Sequence, residues 1–158
     1  MSESKKQLKK IKVYIGSDHG GFDMKEKIRN NHELLEILDF VDLGTYSGDE
    51  SVDYPDYAEK IGENLLKDKG SYGIGICGTG IGICIALNKI KGIYAANVNK
   101  TIEAELAREH NNVNVITLSG RFTSVEDNVE IIKKFFSSHF ESGRHEKRLD
   151  KITKLENK

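Results

Sequence analysis

Cys77-Gly78-Thr79-Gly80-Ile81-Gly82 puts a thiol directly before three glycines in five residues, where one apolar run ends and another begins. Glycines at a strand-to-helix turn permit positive φ angles and let backbone N–H groups approach an anion with no Cβ in the way. A helix N-terminus adds its dipole, so a phosphate or a developing oxyanion is favoured there. A cysteine in that setting suits a thiolate acting as nucleophile or general base. The alternative is a buried small hydrophobe, the usual fate of a free cysteine. The loop could equally be a bare tight turn, but this glycine density favours a ligand. Cys84, between Ile83 and Ile85, reads as core.

Other groups could join that loop. Asp18 and His19 close an apolar run and precede Gly20-Gly21, so they read as ligand contacts or as a local Asp–His pair. His110-Asn111 ends a strongly helical stretch, a place that suits a proton-donating imidazole or an exposed cap. Arg121 follows Gly120 at the end of another apolar run. Arg144 and Arg148, four apart, share one helix face and could grip a phosphate. The competing reading is a solvated tail, because Lys147, Lys151 and Lys154 lie in the same segment. His32 and His139 sit in charged surroundings and receive no role. Gly73-Ile74-Gly75-Ile76-Cys77-Gly78 matches the G-x-G-x-x-G spacing of dinucleotide-binding folds. Its first two glycines fall inside an apolar run, however, and no acid stands near residue 98 for a ribose hydroxyl, so the match is accidental.

The elements that must position these residues are legible from the punctuation. Apolar runs cover Ile11–Gly16, Ile37–Leu43, Tyr72–Cys77, Ile93–Val98 and Val113–Leu118. Helical stretches lie between and after them: the amphipathic Phe22–Leu35 and Val125–Phe136, Tyr57–Leu66 with its apolar residues on one face, the short apolar Ile83–Asn88, and the strongly helical Thr101–Glu109. Strands apolar throughout, alternating with helices, predict a five-stranded parallel sheet covered on both faces, a Rossmann-like three-layer α/β/α sandwich. In such a sheet ligands bind beyond the carboxyl ends of the strands. Asp18-His19, Cys77-Gly78-Thr79, His110-Asn111 and Gly120-Arg121 are all expected to cluster there.

The lysine-rich residues 1–10 read as a disordered extension and 11–158 as one domain, closed by a charged helical tail from Glu141 with an apolar stripe of Leu149, Ile152 and Leu155. With 24 basic and 25 acidic residues the net charge is −1, which removes the footprint of non-specific nucleic-acid or anionic-membrane binding. No apolar run approaches the ~20 residues of a membrane span. The polar N-terminus is not a secretory signal, and two cysteines do not make a disulfide framework or a paired zinc knuckle. The expectation is a cytoplasmic protein.

Taken together, Ser17-Asp18-His19-Gly20-Gly21-Phe22, Asp53-Tyr54-Pro55, the Cys77–Gly82 loop, His110-Asn111, and Gly143-Arg144-His145 with Arg148 closely resemble the type B ribose-5-phosphate isomerases. Relatives of that family include galactose-6-phosphate isomerase subunits. The resemblance runs from about Lys12 to Leu155. It implies an aldose–ketose isomerase that interconverts ribose 5-phosphate and ribulose 5-phosphate with no metal and no other cofactor. It makes Cys77 the base that moves the proton between C1 and C2, and His110 the donor that opens the furanose ring. Gly78, Thr79, Gly80, Ile81 and Gly82 become the oxyanion site, with Thr79 assisting. Asp18, His19, Asn111, Arg121, Arg144 and Arg148 become substrate and phosphate contacts. It also implies a homodimer, possibly a tetramer, with sites shared across the interface. Within the same chemistry, a hexose-phosphate isomerase acting on allose or galactose 6-phosphate is the near alternative. A sugar-phosphate-binding module without catalysis is the distant one, and it would not need Cys77. Asn112, Ser119-Gly120-Arg121 and Leu87 depart from the family pattern.

Overall fold

The computed structural model describes residues 9–158, so most of the N-terminal extension lies outside the described residues. The five apolar runs become strands β1 (Ile11–Ser17), β2 (Leu38–Asp42), β3 (Tyr72–Cys77), β4 (Ala95–Asn97) and β5 (Val115–Ser119). They form one sheet in the order β2-β1-β3-β5-β4, and every neighbouring pair is parallel. Around it lie α1 (Phe22–Arg29), α2 (His32–Leu35), α3 (Tyr54–Leu66), α4 (Ile81–Asn88), α5 (Thr101–Asn111), α6 (Val125–Ser137) and α7 (Glu146–Glu156). This is the predicted Rossmann-like sandwich with its helical tail.

Strand alternation splits the core in two. On one face Val13, Ile15, Ile74, Ile76, Ile116 and Leu118 pack with Ile28, Ile132 and Phe135. On the other Tyr14, Cys77 and Val115 pack with Ile61, Ile83 and Leu87. Each fully buried aliphatic side chain contributes about 1.5–3 kcal/mol, and the sheet is buried on both faces, as its unbroken apolar strands require. The two glycines of the false dinucleotide motif belong to this packing. A Cβ on Gly73 would lie 2.7 Å from Ile61 Cγ2, and one on Gly75 would lie 3.1 Å from Ile83 Cδ1 and 3.3 Å from Leu87 Cδ1. The glycines let α3 and α4 close on β3, and the large Leu87 fills the groove left by Gly75.

Several element boundaries differ from the sequence expectation. The amphipathic stretch Phe22–Leu35 is divided, because the Asn31 side chain caps a new helix by accepting the Leu34 N–H. The third helix begins at Tyr54 rather than Tyr57, with Pro55 in its first turn, where a missing N–H costs nothing. The C-terminal tail is irregular until Gly143–His145, a 3₁₀ turn, and α7 starts only at Glu146. Ser142 and Gly143 have φ of 61° and 56°, which no α-helix from Glu141 could accommodate.

Candidate active site

The chain turns to opposite sides of β1 to form β2 and β3, so the crevice of the sheet opens at the carboxyl ends of β1 and β3. Asp18 follows β1, and its Oδ1 accepts the Gly21 N–H at 3.1 Å, capping the 3₁₀ turn His19–Gly21. His19 Nδ1 lies 3.1 Å from Val52 N and 3.2 Å from Val52 O, which fastens the ring to the loop before α3. Gly21 must be glycine, because a Cβ there would sit 2.5 Å from Ile76 O.

Next to this turn, β3 ends in the glycine loop. Cys77 is buried and its Sγ accepts the Gly80 N–H at 3.2 Å. Gly80 holds φ +82°, and a Cβ on it would lie 2.5 Å from Asn97 Oδ1 and 2.9 Å from the Leu118 carbonyl. Two hydroxyls of β5 pull the loop carbonyls toward the sheet: Ser119 Oγ donates to Gly78 O, and Thr117 Oγ1 to Gly80 O, both at 2.7 Å. Thr79 is exposed, and its Oγ1 accepts the Ile81 N–H at the start of α4. The Tyr54 ring lies against Gly82, where a Cβ would be 2.6 Å from Tyr54 Cζ. Arg121 N–H donates to Gly78 O at 3.1 Å, and its guanidinium drapes over Gly20 and Gly78, whose missing side chains make the room. Asp18, His19, the Cys77–Gly82 loop and Arg121 therefore converge on one edge, with a thiol, a helix N-terminus and a cation side by side. That arrangement can take a proton from carbon and hold the negative charge that results.

His110 and Asn111 are elsewhere, and here the expected clustering fails. A helix that follows a parallel strand runs back along the sheet, so α5 ends at the amino edge. Arg108, one half-turn before His110, donates to Val113 O and lies over the ring of Tyr72, the first residue of β3. Val115–Ser119 alone spans about 13 Å at the usual rise per strand residue, so His110 and Cys77 stand at opposite edges of the sheet. His110 stacks on His145 with ring centroids 4.3 Å apart, and Glu141 Oε1 lies 3.3 Å from His110 Nε2. This brings the 3₁₀ turn carrying Arg144 to the amino edge, with Arg148 one turn into α7, and both arginines are exposed. Burial, then the neighbouring His110, push His145 below the usual imidazole range. Asn112 closes α5 in the left-handed conformation at φ 48°, which asparagine tolerates, and its Oδ1 accepts from Arg108.

Sequence reasoning missed Thr117, Ser119, Asn97, Tyr54, Glu141 and His145 as parts of these two sites. Thr117 and Ser119 carried a signal, being hydroxyls two apart, hence on one face, in an otherwise apolar strand. Nothing local marked Glu141, whose link to α5 is the backbone bond from its N–H to Glu109 O.

Residues 13–152 match the family model described as Ribose/Galactose Isomerase. The chain is 37% identical over 145 residues to ribose-5-phosphate isomerase B of Escherichia coli K12, covering 92% of this chain and 96% of that protein. Among solved structures, a ribose 5-phosphate isomerase from Thermotoga maritima is 44% identical with a TM-score of 0.86, covering 91% of this chain and 98% of that one. Ribose-5-phosphate isomerase B from Mycoplasma genitalium, solved with bound ribulose-5-phosphate, is 41% identical with a TM-score of 0.87, covering 94% and 97%.

Proposed function

The chain belongs to the ribose/galactose isomerase family, and from that premise we infer that it interconverts ribose 5-phosphate and ribulose 5-phosphate. The observation that carries the reading is the Cys77 thiol seated under the Gly80 N–H, in a glycine loop that opens α4. In this reading His110 gives a proton to the ring oxygen as the C1–ring-oxygen bond breaks, the C1 hydroxyl releases its own proton to water to become the carbonyl, and the furanose opens. Cys77, as thiolate, takes the C2 proton of the open aldose. The C–H electron pair becomes the C1–C2 double bond of an enediolate, and the carbonyl electrons move to O1. Backbone N–H groups from Gly78 to Gly82 stabilise that oxygen, each well-placed donor by about 3–4 kcal/mol, and Thr79 assists. The proton returns from Cys77 to C1, the O2 proton passes to O1 as the C2 carbonyl forms, and the product is the ketose. Asp18, His19 and Asn111 hold the sugar, and Arg121, Arg144 and Arg148 serve as its further polar and phosphate contacts. Binding energy at the phosphate orients the reacting carbons.

We propose further that residues 11–158 act as one domain within a homodimer, or a tetramer of such dimers, in the cytoplasm. Support for the dimer is the division of the site between two edges of the sheet, so that a second copy must bring its His110 edge to the first copy's Cys77 edge. Ile81 and Ile85, four apart on α4 and more than half exposed, with Phe122 beside Arg121, offer an apolar surface next to the loop. No helix among the described residues is long and apolar enough to cross a membrane. The test is isomerisation by purified protein, in the presence of EDTA, of ribose 5-phosphate beside allose and galactose 6-phosphates. Turnover with a kcat/KM for ribose 5-phosphate well above the hexose phosphates is expected. A hexose preference would keep the mechanism and change the substrate, and binding without turnover would leave a sugar-phosphate-binding module.

A further inference from the structure

Three glycines in five residues leave the Cys77–Gly82 loop with little conformational preference of its own, yet stabilising an oxyanion requires N–H groups aimed in advance. Their direction must come from outside the loop, and β5 supplies it. Ser119 pairs with Cys77 in the sheet, and Gly120 N–H donates to Cys77 O at 2.9 Å. Thr117 and Ser119 are 0% and 2% exposed, and both turn their hydroxyls to the loop. Ser119 Oγ accepts the Phe122 N–H at 2.9 Å, which leaves its single proton for Gly78 O at 2.7 Å. Arg121 N–H donates to the same carbonyl, so both lone pairs of Gly78 O are engaged. Thr117 Oγ1 lies 2.7 Å from Gly80 O and 3.4 Å from Asn97 Oδ1, so the carbonyl is the nearer acceptor. In a planar trans peptide the C=O of one residue and the N–H of the next point in opposite directions. Holding Gly78 O and Gly80 O against β5 therefore aims the Thr79 and Ile81 N–H groups away from it. The Ile81 N–H meets the exposed Thr79 Oγ1 at 3.1 Å, which leaves the Thr79 hydroxyl proton for a ligand oxygen.

We propose that Thr117 and Ser119 are positioning residues for isomerisation: their hydroxyls lock the Gly78 and Gly80 carbonyls against β5, so that the Thr79 N–H and hydroxyl face the enediolate oxygen. The proposal rests on the isomerase reading for its substrate and on the four hydrogen bonds above for its geometry. Filling the core does not call for either hydroxyl, since valine matches threonine in shape and Val115, Ile116 and Leu118 of the same strand are apolar. Both residues are sealed behind the loop and act through it, away from the sugar and its phosphate. Their loss should therefore slow the chemical step and leave ground-state binding alone, because the donors they aim matter most once charge develops on oxygen.

The experiment compares wild type with Thr117→Val, Thr117→Ser and Ser119→Ala, with melting curves to establish that each variant folds. Expected is a kcat for ribose 5-phosphate lower by ~10–100-fold in Thr117→Val and Ser119→Ala at nearly constant KM, with Thr117→Ser close to wild type. Calorimetry gives a second readout with two phosphorylated probes: a four-carbon hydroxamate, whose planar anionic N–O group imitates the enediolate, and ribitol 5-phosphate, which has no such group. The wild-type preference for the hydroxamate should shrink in Thr117→Val and Ser119→Ala by about the factor lost from kcat, while ribitol 5-phosphate binds as before. An unchanged kcat in either variant would strike that residue from the proposal. A loss confined to KM, or Thr117→Ser as impaired as Thr117→Val, would overturn it altogether. Should one variant fail to fold, the other decides. A wild type inert toward ribose 5-phosphate would refute the isomerase reading, and the hydroxamate preference would still judge the positioning role: a preference that falls in the variants supports it, and one that is absent or unmoved overturns it.

Discussion

Mixing two inactive variants should restore activity. Cys77 and His110 cannot meet within one chain, because β5 alone separates their edges by about 13 Å. If each site joins one copy's Cys77 to its partner's His110, a Cys77→Ala homodimer and a His110→Asn homodimer each lack one catalytic group at both sites. The cost of losing a general base or acid is about 10²–10⁴-fold in rate, so both should be nearly silent. In a heterodimer the two lesions fall together in one site and leave the other intact. Co-refolding equal amounts gives about half heterodimers, each with one of two sites restored, so activity should recover to about a quarter of the wild-type value per chain. The assay is ribulose 5-phosphate formation before and after co-refolding, with native mass spectrometry counting the heterodimers. Heterodimers present in that proportion with no recovered activity would refute the shared site, as would a fully active monomer.

Cys77→Ser, which keeps a small polar group under the Gly80 N–H, should fold with an unchanged melting temperature and lose about 10²–10⁴-fold in kcat; near-full turnover would remove Cys77 from the chemistry. Gly80→Ala should lower activity and cost about 1–3 kcal/mol of stability by denaturant titration, since φ +82° and the Asn97 and Leu118 contacts leave a Cβ no room. Arg144→Ala should raise KM for ribose 5-phosphate with a smaller change in kcat, and an unmoved KM would count against its phosphate role. Glu26 offers a pH test away from the site. The Arg29 guanidinium beside it holds its carboxyl at about 2, below its ordinary 4.5, so its stabilisation is complete above pH 4.5 and is lost as pH falls toward 2. With the side chain about one-third exposed, that stabilisation is about 1–2 kcal/mol after screening. Glu26→Gln should therefore be less stable than wild type near neutrality by that amount, and the difference should vanish toward pH 2; a gap that persists at low pH would contradict the cause given.

Periodicity and punctuation carry much of this molecule. Runs such as Tyr72–Cys77 are apolar at every position because a parallel strand is buried on both faces, so the sandwich and the order of its elements are readable without coordinates. Cys77 and its glycines are readable for the same local reason: a thiol, a turn and a helix start are consecutive in the chain. Boundaries set by side-chain capping were harder, as the Asn31 cap and the positive φ of Ser142 show. Hydroxyls such as Thr117 and Ser119 gained meaning only when β5 was inserted beside β3, because the sheet order, which no local pattern encodes, decides whose carbonyls they reach.

Residue types and their neighbours along the chain set the chemistry on offer, because they govern what a thiol or an imidazole can do. Which of these groups share a place depends on how the chain packs. That packing joined Asp18, His19, Cys77 and Arg121 at one edge, and it sent His110 to the other beside Glu141 and His145. The physical reason is that a strand and the helix after it run in opposite directions, so the last residues of a helix lie at the opposite edge of the sheet from the last residues of the strand before it.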